Sequence, residues 1–161
     1  MITFMRIMTL STALAVGTAF PANQSVAAVA TQQEQGATEQ TIKQALQTWI
    51  SAIGSGKATN VTDLYAADAV LLPTLSAKVH NTPALRLEYF EKIAALKNLT
   101  VTLQEQQIRL LGNVAVDSGL YTFTHVKEGK SLSIPARFTF VYEKTPQGWV
   151  IVEHHSSKLP E

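Results

Sequence analysis

Arg137 is the residue whose surroundings ask most for an explanation. It lies in the run Ile134-Pro135-Ala136-Arg137-Phe138-Thr139-Phe140-Val141, where aromatic and β-branched residues predict a strand. A lone guanidinium is costly to bury in such a strand, so a partner is expected. Thr145-Pro146-Gln147-Gly148 supplies a hairpin turn, and a loop over 144–148 would pair Arg137 with His155 and Thr139 with Glu153. Arg137, Thr139, Glu153 and His155 would then share one face with Trp149 and Ile151. Phe138, Phe140, Tyr142, Val150 and Val152 would take the other. Two readings stand side by side. Arg137 and Glu153 form a structural ion pair within the sheet, or the four polar residues line a cavity whose guanidinium grips a carboxylate. Tyr121 on the neighbouring strand adds a hydroxyl to that cavity, and Trp49 from the first helix adds an aromatic wall.

Other chemistries find less support. His154-His155 is unusual, but neighbours on a strand point to opposite faces, so the pair does not chelate one metal from one side. His80 and His125 fall in loops or at strand ends, no metal site is predicted, and His154 is expected to be a satisfied, half-buried polar residue. Gly54-Ser55-Gly56-Lys57 follows a helix and lacks phosphate-loop spacing, and there is no nucleophile-elbow serine. The sequons at Asn60 and Asn98 are better explained by a helix cap and a turn. The absence of cysteine excludes disulfide frameworks, thiolate zinc sites, iron–sulfur clusters and cysteine nucleophiles. No cofactor is predicted.

These residues need a scaffold, and the chain is long enough for one domain: 161 residues, 46% hydrophobic and 16% charged. A formal charge of +1 without a basic cluster argues against a nucleic-acid partner. Residues 1–30 run from a short segment containing Arg6, through an uncharged apolar stretch, to Pro21 and two small-residue sites ending at Ala27 and Ala30. That order predicts a cleaved export signal and a secreted or periplasmic protein. No later stretch is apolar for long enough to span a bilayer, so the mature chain is expected to be off the membrane.

Residues 31–37 read as a flexible lead-in, and 38–161 as the domain. Ile42, Ala45, Leu46, Trp49, Ile50 and Ile53 form a one-face helical stripe that ends at Gly54 and Gly56. Asn60 is expected to cap a short second helix carrying Val61, Leu64 and Tyr65. An extended run, Ala69–Leu72, is stopped by Pro73. Thr82-Pro83 caps a third helix with Leu85, Tyr89, Phe90, Ile93 and Leu96 inward. After Asn98 the period changes to two, and turns at Gly112-Asn113, Glu128-Gly129 and Pro146-Gln147 separate four strands. Helices first and strands last is the α+β pattern.

Three stretches carry a family resemblance: Leu64 to Thr74, the third helix with Tyr89-Phe90, and the ending ARFTFVYEKTPQGWVIVEHHSSKLP. They resemble the association-domain family of calcium/calmodulin-dependent protein kinase II, in its bacterial, secreted, stand-alone form. That family lies within the nuclear transport factor 2-like, SnoaL-like superfamily. The resemblance spans about Thr38 to Pro160. It implies a cone of three N-terminal helices packed on a curved antiparallel sheet, with a cavity between them, and homodimers or higher oligomers formed sheet to sheet. It implies several arginines in the kinase family's cavity, of which this chain offers Arg137. Tyr121 and Ser156 stand where arginine would be expected. No kinase catalytic motif is present.

The function expected is therefore an exported, non-catalytic, self-associating domain whose cone binds a small anionic or carbonyl ligand. Two alternatives stay open. One is an isomerase, cyclase or dehydratase, with Glu153 or Asp117 as base, His155 as acid–base partner and Tyr121 as donor. The other is a protein-interaction module of the cell envelope.

Overall fold

A computed structural model describes residues 24–160, with side chains described from Glu39 onward. The export signal predicted for 1–30 therefore lies mostly outside the described residues. The first helix, α1, spans Gln24–Gly54, so helix continues through the segment whose composition predicts a flexible lead-in. Gln32, Gln33, Glu34 and Gln35 are good helix formers. Ile42, Leu46, Trp49 and Ile53 of the predicted stripe are buried. Gly56, at φ +69°, takes the left-handed turn that releases the chain from α1.

α2 is one short turn, Ala58–Thr62, with Lys57 at its N-cap. Asn60 lies inside it and donates to Ser55 Oγ at 3.2 Å instead of capping. β1 spans Tyr65–Leu72, so Tyr65 opens a strand and does not continue the helix. α3, Pro83–Ala94, starts as the sequence predicts: the Thr82 hydroxyl accepts from the Leu85 N–H at 3.3 Å, with Pro83 at the first helical position. Its inner stripe is Arg86, Phe90 and Ile93.

Four long strands follow: β2 (Lys97–Leu111), β3 (Val114–Lys127), β4 (Lys130–Thr145) and β5 (Gly148–Lys158). The sheet order is β1-β5-β4-β3-β2, antiparallel except that β1 lies parallel to β5. The curve of the sheet has a local cause at Gly119. A Cβ there would collide with the Glu105 carbonyl and the Phe138 ring, so only glycine lets β2 approach at its irregularity between Leu103 and Glu105.

The β4–β5 hairpin differs from the predicted register. Thr145 pairs with Gly148 across a two-residue loop, and Val152 is an extra residue between the Val141–Glu153 and Tyr142–Ile151 pairs. Arg137 therefore faces Ser157, and Thr139 faces His155. Because the bulge inserts one residue, it also turns Ile151 onto the face of Tyr142, where both are buried. The core sits between α1, α3 and the face carrying Tyr121, Phe138, Phe140 and Tyr142. Phe138, Phe140 and Tyr142, predicted to lie on the face away from the cavity, fill the cone instead. No described helix is long and apolar enough to cross a membrane.

Candidate functional site

Trp49 leaves the C-terminal part of α1, five residues before Gly54, into the centre of the cone. Its ring stacks on Tyr121 at 6.0 Å and meets Phe140 and His154 edge-on at 5.1 and 5.3 Å. Its indole N–H donates to Tyr65 Oη at 3.0 Å, and Tyr65 Oη lies 2.8 Å from His154 Nδ1. On the far side of the imidazole, Nε2 is 3.5 Å from Tyr121 Oη, a long contact. Tyr121 donates to Ser156 Oγ at 2.7 Å, and Ser156 Oγ is hydrogen-bonded to Thr74 Oγ1. A chain of six side chains thus runs through the core, drawn from α1, β1, β3, β5 and the loop after β1.

Burial decides the charge state of this chain. His154 is 3% exposed and stacks on Phe140 at 3.8 Å. Desolvation, aided by the neighbouring His155, pushes its pKa down to about 3, so the imidazole is neutral at physiological pH. Desolvation likewise holds the Tyr65 and Tyr121 phenols well above their ordinary range. The chain is uncharged throughout.

Its far end borders a cavity. Apolar walls come from Ile53, Phe90, Ile93 and Leu99, and polar atoms from Thr74, Tyr121, His125, His154 and Ser156. Leu75 also lines the cavity and is 48% exposed, which puts the mouth at the loop after β1. The space open to the centre of a water molecule is about 20 Å³, room for one water and little more. His125 is 7% exposed, and its Nδ1 has no hydrogen-bond partner among the described residues.

A buried cation shapes this wall from behind. Arg86 on α3 is 2% exposed and donates to the carbonyls of Ala69, Ala66 and Ala67 at 2.5, 2.7 and 3.0 Å. Those carbonyls belong to the stretch where β1 loses register with β5. The guanidinium supplies the hydrogen bonds that this irregular backbone lacks, and it lies 5.9 Å from the Tyr65 ring centroid. Arg86 is a positioning residue for Tyr65. Its place four residues before Phe90 and seven before Ile93, on the inward stripe, was the signal in the sequence.

The predicted set divides. Trp49 and Tyr121 line the cavity. Arg137, Glu153 and His155 are exposed, and Thr139 is half-exposed, all on the outer side of the sheet. The physical reason is the one that made Arg137 informative: unpaired charge belongs in water, and the aromatic face takes the interior. Arg137 donates Nε to Ser157 Oγ at 3.1 Å and has no ion pair with Glu153 among the described residues. The proposed base, acid–base partner and donor do not converge either, because Glu153 and His155 face away from Tyr121. Asp117 is fully buried, with Oδ2 accepting from Gln106 at 2.9 Å and Oδ1 unpartnered, but it does not border the cavity. His154, predicted half-buried, is instead fully enclosed. No three His, Asp or Glu side chains among the described residues converge as metal ligands.

Comparison with known proteins agrees with this architecture. Residues 38–160 match the model of the calcium/calmodulin dependent protein kinase II association domain. A crystal structure from Xanthomonas campestris, described as a candidate domain of that kind, is 38% identical, covers 89% of this chain and 94% of its own, and has a TM-score of 0.69. A nuclear transport factor 2-like superfamily protein from Salmonella enterica is 20% identical over 79% of this chain and 94% of its own, at a TM-score of 0.71. The CamKII hub homology domain of Chlamydomonas reinhardtii is 17% identical over 76% and 99%, at 0.63. These last two show the shared cone fold. No curated protein matches the sequence. With a whole-domain family match and a 38% identical relative, this chain belongs to the calcium/calmodulin-dependent protein kinase II association-domain family.

Proposed function

We propose that the chain is an exported, non-catalytic domain that self-associates through the outer face of its sheet and holds a small ligand in its cone. One observation carries the reading: the two faces of the sheet are finished differently. The inner face is closed by α1 and α3 around a mainly apolar cavity that a few polar groups border. The outer face presents Val116 and Leu120 of β3 and Thr139 and Val141 of β4, each half-exposed, in paired strands. A second copy laid on this surface would cover apolar area that a nearly neutral domain otherwise leaves in water. Membership of an association-domain family supports the same reading.

Catalysis is set aside because no carboxylate among the described residues borders the cavity, and the acid–base chemistry of the isomerase alternative needs one there. Export is supported by the order of charge, apolar stretch and small residues in 1–30. N-terminal sequencing of the exported protein should begin near Ala28 or Thr31, and an intact Met1 would refute cleavage.

Light scattering at micromolar concentration tests self-association. The expected mass is at least twice that of one mature chain. Val141→Glu should halve it or more while leaving the circular dichroism spectrum unchanged. A monomeric wild type would refute the interface.

A further inference from the structure

The chain of hydrogen bonds in the cone has a direction, and the direction follows from its first member. An indole N–H can only donate, so Trp49 donates to Tyr65. Among the described residues Tyr65 Oη has one other partner, His154 Nδ1, and satisfying the buried phenol proton makes that nitrogen its acceptor. A neutral imidazole accepting at Nδ1 carries its own proton on Nε2, facing Tyr121. Tyr121 donates to Ser156, and Ser156 and Thr74 share one further bond in which either hydroxyl can be the donor. One bond uses one of their two protons, so one hydroxyl of the pair has no acceptor among the described residues. Both border the cavity, and Thr74 stands next to Leu75 at the mouth, so the chain ends in an unused donor at the cavity wall.

A second feature is independent of the chain. His125 is more than nine-tenths buried on β3, borders the same cavity, and leaves Nδ1 without a partner. A buried polar atom without a partner is a standing cost that a ligand or water relieves. A third feature is electrostatic. None of the residues lining the cavity is Asp, Glu, Lys or Arg. A carboxylate entering it would lose its hydration and meet no cation, since Arg137 lies on the far side of the sheet.

We infer that the cone takes a small uncharged ligand bearing an acceptor oxygen, a ketone being the simplest, that accepts from the free proton of the Thr74–Ser156 hydroxyl pair and lies against His125. This rests on the proposal that the cone holds a ligand and names the ligand's chemistry. It replaces the carboxylate that the sequence suggested for Arg137. The small volume means that a ring-sized ligand enters only as Leu75 swings aside.

Four probes share one ring and differ in the group they offer: cyclopentanone, methylenecyclopentane, cyclopentanecarboxylate and cyclopentylammonium. Each is titrated at pH 7.5 into the full-length mature protein, with binding read from the amide resonances around Thr74, Tyr121 and His125. Cyclopentanone should bind tightest. Methylenecyclopentane, which lacks only the acceptor, should be about fivefold weaker, the ratio expected for one neutral hydrogen bond. The two charged probes should be weaker than the ketone by about tenfold or more. Removing both hydroxyls, Thr74→Val with Ser156→Ala, should bring ketone and hydrocarbon to parity with the fold intact, and His125→Phe should weaken the ketone separately. A carboxylate that binds as well as the ketone, or a hydrocarbon equal to the ketone in wild type, would overturn the ligand class and leave the cavity reading standing. If none of the four perturbs the cavity resonances, the cavity reading and the ligand class fail together.

Discussion

Phe138, Phe140, His154 and Ser156 stand on the inner side of β4 and β5, and one residue along each strand Arg137, Thr139, His155 and Glu153 stand on the outer side. His154 and His155 make the contrast sharpest. They are the same residue type at adjacent positions. One is enclosed, hydrogen-bonded at both ring nitrogens and held neutral, and the other is exposed. The difference teaches that charge on these two strands is sorted outward, while His154 enters the cone as a neutral link in a chain. Two ionisable residues elsewhere are inside with partners: Asp117 accepts from Gln106, and Arg86 is received by three backbone carbonyls of β1.

The contrast is broken most severely at Trp49. Trp49→Ala removes a fully buried ring that touches Tyr121, Phe140 and His154, and should lower unfolding stability by about 3–5 kcal/mol. Urea titration at fixed protein concentration measures it, since self-association would otherwise shift the midpoint. Next comes Tyr65→Phe, which leaves the Trp49 N–H and His154 Nδ1 unpaired in the core. A loss of about 1–3 kcal/mol is expected by the same titration.

A smaller effect appears in the pH dependence, where two inner groups oppose each other. His154 titrates near 3 in the folded chain, against about 6.5 when unfolded. Between those values the unfolded chain holds the extra proton, so this residue's contribution is full above about pH 6.5 and is lost on acidification. Burial pushes Asp117 up to about 6, partly offset by its bond from Gln106. Between about 3.9 and 6 the folded chain holds that proton, so Asp117 favours folding increasingly as pH falls. Between about pH 7 and 6 the histidine loss leads, so wild type should weaken slightly there, while between about 6 and 4 the two contributions nearly cancel. His154→Gln should reverse the trend and gain stability from pH 7 to 5, while Asp117→Asn should be more stable than wild type at pH 8. Thermal melts across this range check both.

The smallest effect belongs to the outer face. Arg137→Ala loses one exposed hydrogen bond to Ser157 and should change stability by no more than about 0.5 kcal/mol. A loss comparable to that of Trp49→Ala would mean that Arg137 is a core residue after all.

Much of this was legible in the chain. The α1 stripe, the Thr82-Pro83 start of α3 and the turns at Gly112, Gly129 and Gly148 follow from local rules, and they fix the elements. Alternation also tells that Arg137, Thr139, Glu153 and His155 share a face. It does not tell which face is inside, because a period of two is symmetric between the sides of a sheet. Reading Arg137 as a cavity cation pushed Phe138, Phe140 and Tyr142 outward, opposite to what burial demands. The extra residue at Val152 was equally hidden, since a bulge leaves no mark on the hydrophobic pattern beyond a shift of parity at Ile151. Arg86 was passed over because a charge on an inward stripe looks like a break in the stripe, and its partners are carbonyls with no side-chain signature.

The central claim is a one-way, uncharged chain running from Trp49 through His154 to Ser156, and nitrogen NMR of the His154 ring tests it most directly. Across pH 5 to 8 the account predicts a neutral imidazole, with the proton fixed on Nε2 and an unprotonated Nδ1 hydrogen-bonded to Tyr65. A doubly protonated ring at pH 5, or a proton on Nδ1 at any pH in that range, would contradict it.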